Sequence, residues 1–201
     1  MPLKYLALGD SYTIGEAVAP EQSFPFQAVE KLRTLGIVID DPQIVAQTGW
    51  TTDELMQAIE NEDLPGKYDL VSLLIGVNNQ YRGYSKGNYR VEFEELLQSA
   101  LSFADNRSER LYVVSIPDWG VTPFAQQSGR NVSEISADIA SFNSINREEA
   151  LKAGVTYIDI TPGSRKAGED PTLLAQDGLH PSGEMYSQWA DLLISAIKSK
   201  N

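Results

Sequence analysis

The feature that most constrains this chain is a recurrence: a short apolar run, a polar turn, and then a longer amphipathic stretch. The runs are Tyr5-Leu6-Ala7-Leu8, Gln43-Ile44-Val45-Ala46, Leu70 to Ile75, Leu111 to Ile116 and Thr156 to Ile160. Several are continuously apolar, as strands covered on both faces are. Between them, Ile135, Ile139, Phe142 and Ile145 recur at helical spacing behind the cap candidates Asn131 and Ser133, and the stretch stops at Gly154. Met185, Trp189, Leu192 and Ala196 predict a last helix. Weaker patterns fit helices over 22–35, 52–60 and 89–103. Strands alternating with helices imply right-handed crossovers, hence a three-layer α/β/α architecture with a five-stranded parallel sheet between helices. Its ligands belong at the carboxyl ends of the strands.

The 201 residues fit one domain, 1–201, with no internal repeat and no Pro- or Ser-rich linker. A formal charge of −12 has the wrong sign for phosphate backbones or anionic lipid, so nucleic acid is not an expected partner. The absence of Cys removes disulfides, thiolate metal sites and cysteine nucleophiles, and leaves the compartment open. The N-terminal apolar run is too short for a signal h-region, and no run of about 18 uncharged apolar residues predicts a membrane span. A soluble chain is expected: cytoplasmic if Met1 is native, periplasmic or secreted if a signal has been removed. Oligomeric state is not written in the pattern.

Residues after the strands carry the chemistry. Gly9-Asp10-Ser11-Tyr12 follows the first, Thr48-Gly49-Trp50 the second, Gly76-Val77-Asn78-Asn79 the third and Pro117-Asp118-Trp119-Gly120 the fourth; the fifth leads through a long loop to Asp177-Gly178-Leu179-His180. His180 is the only histidine. A serine needs a base, the base a carboxylate, and a tetrahedral oxyanion needs donors. Ser11, His180 and Asp177 supply the first three, and the Ser11 and Gly49 backbone N–H groups and the Asn78 amide are the candidate oxyanion hole. Trp50, Tyr81 and Trp119 are candidate substrate-pocket aromatics, with ordinary packing over a sheet edge as the competing reading. Asp10 reads as a structural cap, and the acidic stretch Glu92 to Glu95 as solvated helix or loop surface.

These blocks, Gly9-Asp10-Ser11, Gly49, Gly76-x-Asn78 and Asp177-x-x-His180, resemble in order and spacing the signature of the GDSL, or SGNH, hydrolases over nearly the whole chain. The resemblance implies flavodoxin-like strand order and esterase, lipase or thioesterase activity on a small-molecule ester through an acyl-enzyme. It implies no metal or organic cofactor. By position, Ser11 is the nucleophile, His180 the general base and Asp177 its orienting partner; Ser11, Gly49 and Asn78 are the oxyanion donors. One position departs from the family: the third block usually ends Asn-Asp, and here it is Asn78-Asn79. The aspartate is expected to brace its loop, a task Asn79 can share through side-chain hydrogen bonds. Two competing functions remain. One is a flavin-binding electron carrier, using 11–15 as a phosphate loop and Trp50 or Tyr81 to stack on the ring; it leaves Asp177 and His180 without a task. The other is a ligand-binding relative of the hydrolases inactivated at Asn79.

Overall fold

The computed structural model describes residues 1–64 and 66–200. Five strands, β1 (Tyr5–Gly9), β2 (Gln43–Ala46), β3 (Leu70–Leu74), β4 (Leu111–Val114) and β5 (Thr156–Ile158), pair in parallel in the order β2-β1-β3-β4-β5. Strands β1, β3 and β4 are buried along their whole length, which their continuous apolar runs require; the edge strands β2 and β5 are only partly covered.

The order reverses at β1, so crossovers of one hand must place the first connecting helix on one face and the later ones on the other. Accordingly α2 (Phe24–Thr34) packs against the last helix, α9 (Gly183–Lys198), while α3 (Thr52–Asn61), α5 (Lys86–Phe103) and α7 (Val132–Lys152) pack in series. Four short helices lie among these elements: α1 (Ser11–Ile14), α4 (Val77–Tyr81), α6 (Pro123–Gln127) and α8 (Thr161–Ser164). Helices α1 and α4 follow β1 and β3, the two neighbours at the reversal, where an open α/β sheet leaves a crevice. No helix among the described residues is long and apolar enough to cross a membrane.

Three expected strands end early. Ile75, Ile116 and Ile160 are fully buried but stand outside the ladder. Gly76, at φ +125°, turns the chain after β3. After β4, Asn143 of α7 takes over the ladder's work, accepting from the Ile116 N–H at 2.8 Å and donating to the Ile116 carbonyl at 2.9 Å. The Ser115 hydroxyl accepts from the Ile160 N–H at 2.8 Å. An apolar run cannot distinguish a paired residue from one whose backbone is satisfied by a buried side chain.

Helix starts also move. Ser85 caps α5, which begins at Lys86, three residues before the expected pattern; Asn131 rather than Ser133 caps α7. In α9, Leu192 is exposed, contrary to its place in the apolar pattern. Tyr186, Trp189, Ala190 and Leu193 are buried, which centres the covered arc near Leu193 and leaves Leu192 beyond its edge.

Candidate active site

Strand β1 ends at Gly9, and Asp10, extended at φ −131°, begins α1 by accepting the Tyr12 N–H on Oδ1 at 3.0 Å. Ser11 thereby becomes the first residue of a helical turn set on the end of a central strand, and it is 5% exposed. Asp10 is wholly buried, which pushes its carboxyl up to about 7 against the pull of the Tyr12 N–H. It caps the turn and does not line the cavity that Ser11 faces.

The imidazole comes from the loop before α9. The Asp177 Oδ1 accepts the backbone N–H groups of Leu179 and His180, each at 3.0 Å, and Gly178 at φ +67° closes the turn. The same geometry brings Asp177 Oδ2 to 2.6 Å from His180 Nδ1. Burial raises the Asp177 carboxyl, but the His180 ring and the two N–H donors more than offset it and hold the group below the usual carboxylate range. A carboxylate facing Nδ1 selects the tautomer with its proton there, which leaves Nε2 able to accept. Nε2 lies 3.0 Å from the Ser11 Oγ, so three residues spaced as far apart as 169 positions form one relay. The Tyr12 ring packs against the imidazole at 5.3 Å.

Ser11, His180, Gly49 and Asn78 line one cavity of about 230 Å³. Gly49 has φ +86°, a conformation that favours glycine, and its carbonyl accepts from Arg82 Nη2 at 2.5 Å. The Asn78 amide donates to the Trp50 carbonyl at 2.9 Å, and its other N–H remains for a ligand. Among the described residues, no cluster of three or more His, Asp or Glu could hold a metal ion.

Of the three expected pocket aromatics, Tyr81 and Trp119 line this cavity; Trp50 does not. The positive φ of Gly49 turns the chain, and Trp50, packed against the core, gives its carbonyl to Asn78 and lines a neighbouring cleft. The Trp119 ring is held by a 2.9 Å hydrogen bond from its Nε1 to Gln80 Oε1 and stands 5.5 Å from Tyr81 and 6.1 Å from Phe124. Arg130 lies 4.0 Å over the Tyr81 ring and donates to the Tyr81 carbonyl at 2.9 Å. Val77, Phe124 and Leu179 complete the apolar wall. The sequence pattern does not single them out; their nearest signal is position, Phe124 in the stretch after the fourth strand and Leu179 beside the histidine.

Asn79 is fully buried and links α4 to the start of α3: its Oδ1 accepts the Thr52 N–H at 3.1 Å and its Nδ2 donates to the Thr52 hydroxyl at 2.6 Å. The hydroxyl donates its own hydrogen bond to the Glu92 carboxylate, so the half-buried Glu92 is a partner in this chain and not merely solvated surface. The chain needs a donor at position 79, because the only hydroxyl proton available is already given to Glu92. Asn79→Asp puts a second acceptor there and should destabilise the protein by about 1–3 kcal/mol. Adding Glu92→Gln, whose amide can donate to Thr52 and free the hydroxyl for Asp at 79, should recover most of that loss. Urea denaturation of the four proteins of this double-mutant cycle measures it; a coupling near zero would remove the explanation.

The model of the GDSL-like lipase/acylhydrolase family matches residues 7–188. No curated protein matches the sequence. Among solved structures, TesA is similar with a TM-score of 0.74 at 16% identity, covering 98% of each chain. Axe2, an acetylxylan esterase from Geobacillus stearothermophilus, has a TM-score of 0.73 at 17% identity over 97% of this chain and 94% of its own. The lipase/acylhydrolase from Enterococcus faecalis has a TM-score of 0.70 at 21% identity over 100% of this chain and 97% of its own. These likenesses establish the three-layer fold, and the family match, over most of the chain, sets aside the electron-carrier reading. The chain belongs to the GDSL-like lipase/acylhydrolase family and is a hydrolase.

Proposed function

We propose that the protein hydrolyses carboxylic esters through an acyl-enzyme on Ser11. The observation that carries this reading is the relay of Ser11 Oγ, 3.0 Å from His180 Nε2, and His180 Nδ1, 2.6 Å from Asp177 Oδ2, at the edge of a mostly apolar cavity. His180 takes the Ser11 proton as Oγ attacks the ester carbonyl, and Asp177 stabilises the imidazolium that forms. The Ser11 and Gly49 N–H groups and the free N–H of Asn78 receive the oxyanion. His180 then gives its proton to the departing alcohol, and water repeats the sequence to release the acid. Two similar structures, an acetylxylan esterase and a lipase/acylhydrolase, agree with ester cleavage as the reaction class.

The buried hydrogen bonds of Asn79 argue for a working site and against an inactivated relative, since the substitution leaves the Asn78 loop braced. A fluorophosphonate probe tests the nucleophile directly. Peptide mapping should find the adduct on Ser11 in the wild type and little or none in His180→Ala, because an unassisted serine hydroxyl is a weak nucleophile. An adduct at another residue, or none in folded wild type, would count against the mechanism.

A further inference from the structure

The chain around Gly49 forms a tight turn that leaves one N–H group free. The Trp50 N–H closes it on the Gln47 carbonyl at 3.3 Å, and Gly49, third of the four residues, has φ +86°, the pattern of a type II turn. The central peptide of such a turn faces opposite to that of a type I turn, so the sign of the Gly49 φ also decides which way the Gly49 N–H points. Among the described residues that N–H has no partner.

Turn type sets the direction of the N–H but not the place of the turn. The turn follows β2, an edge strand only partly covered, and glycine has no side chain to wedge against a neighbour. Contacts from the two helices that carry the other oxyanion donors hold it instead. The Thr48 hydroxyl donates to Glu16, just beyond α1, whose own N–H bonds the Ser11 carbonyl at 3.0 Å. Asn78 of α4 takes the Trp50 carbonyl, and Arg82, one helical turn further on, takes the Gly49 carbonyl through Nη2 at 2.5 Å. Arg82 is itself aimed by Glu54 of α3, whose Oε1 accepts from Nη1 at 3.0 Å while Oε2 accepts the Thr51 N–H at 2.9 Å. The Arg82 hydrogen bond holds the Glu54 carboxyl below the usual carboxylate range, so the pair stays charged near neutral pH. Arg82 lines the neighbouring cleft and not the nucleophile's cavity, so it acts on the reaction only through the groups it holds.

We propose that Arg82, aimed by Glu54, is a positioning residue for ester hydrolysis: by tying the Gly49 carbonyl to the helix that carries Asn78, it sets two oxyanion donors at a fixed separation. The proposal rests on the acyl-enzyme reading, because an oxyanion forms here only if Ser11 attacks.

The test is Arg82→Met, which keeps the length of the side chain and removes its donors. The ion pair is exposed, so Tm should stay within roughly 3 °C of the wild type. Removing an oxyanion donor outright costs about 10²- to 10³-fold; displacing one should lower kcat for p-nitrophenyl acetate by about 10- to 30-fold, with KM within roughly twofold. Phenylboronic acid supplies a readout that a merely structural role would not move. Its boron adds the Ser11 Oγ, the serine proton passes to His180, and the tetrahedral anion sets an oxygen among the donors, so its Ki should rise by the factor that kcat loses. Arg82→Lys, whose ammonium still reaches the Gly49 carbonyl without the fork, should fall between the two. The role alone is overturned if Arg82→Met keeps kcat within about twofold of the wild type, if kcat falls with Ki unchanged, or if Arg82→Lys is no better than Arg82→Met. A wild type that neither hydrolyses p-nitrophenyl acetate nor binds phenylboronic acid overturns the ester-hydrolase reading and the role with it.

Discussion

Replacing Ser11 by Ala is expected to lower kcat/KM for p-nitrophenyl acetate by about 10⁴-fold or more, and His180→Ala by a similar factor. The two side chains act through one hydrogen bond, 3.0 Å between Ser11 Oγ and His180 Nε2, so neither has a separate contribution to lose. The double variant should therefore be no slower than the worse single one, whereas independent contributions would multiply. Asp177→Asn tests the remaining link. The aspartate uses Oδ1 on the Leu179 and His180 N–H groups and Oδ2 on the imidazole; an asparagine keeping the first contacts must turn its NH₂ toward Nδ1. The ring would then adopt the opposite tautomer and point a proton, not a lone pair, at Ser11. A loss of about 10³- to 10⁴-fold with an unchanged circular dichroism spectrum is expected. Ser11→Ala retaining more than roughly a hundredth of the wild-type rate would sink the acyl-enzyme mechanism.

Those three residues were legible because chemistry restricts each to a few residue types, and because the strand ends tell where such types matter. The lone histidine removed the choice of base. Gly49 and Asn78 were legible through the same positional rule, and both reach the cavity. The misreadings share a different origin. Trp50 follows a glycine whose positive φ turns the chain, and it lines the adjoining cleft instead of the nucleophile's cavity. Glu92 sits on a helix where periodicity reports that a position is not in the core, but its partner Thr52 is 40 residues away and belongs to another helix. Leu192 depended on helix phase, set here by Tyr186 and Ala190, neither of which was part of the pattern. Ile116 and Ile160 were satisfied by side chains of Asn143 and Ser115, a nonlocal exchange that no apolar run encodes. What sequence conveys well is which residue types stand at the ends of strands; what it conveys poorly is the path a chain takes after a single special dihedral, or a polar pairing between distant elements.

The largest effect on stability is expected two residues before the nucleophile. A Cβ at position 9 would lie 2.1 Å from the Thr13 Oγ1 and 2.4 Å from the Leu74 carbonyl oxygen, so Gly9→Ala meets helix α1 on one side and strand β3 on the other. Gly9 pairs with both Ala46 of β2 and Leu74 of β3, which prevents the strand end from shifting away. Overpacking of this kind costs about 3 kcal/mol or more, which for a chain of this size lowers Tm by roughly 6–12 °C. Thr13→Ala in the same chain removes only the hydroxyl contact and leaves the Cβ of residue 13 at 2.9 Å and the backbone oxygen of Leu74 in place, so it should recover less than half of the loss. Full recovery would mean that the helix, not the sheet, requires glycine here. Activity supplies the second readout: the displaced strand end carries Ser11 with it, and the relay to His180 tolerates little error because proton transfer requires a short heavy-atom separation. At a temperature where the variant is still fully folded, kcat should fall by at least about tenfold. Gly9 thus ties the packing of a central strand directly to the placing of the hydroxyl, and a variant that lost stability with kcat unchanged would separate the two.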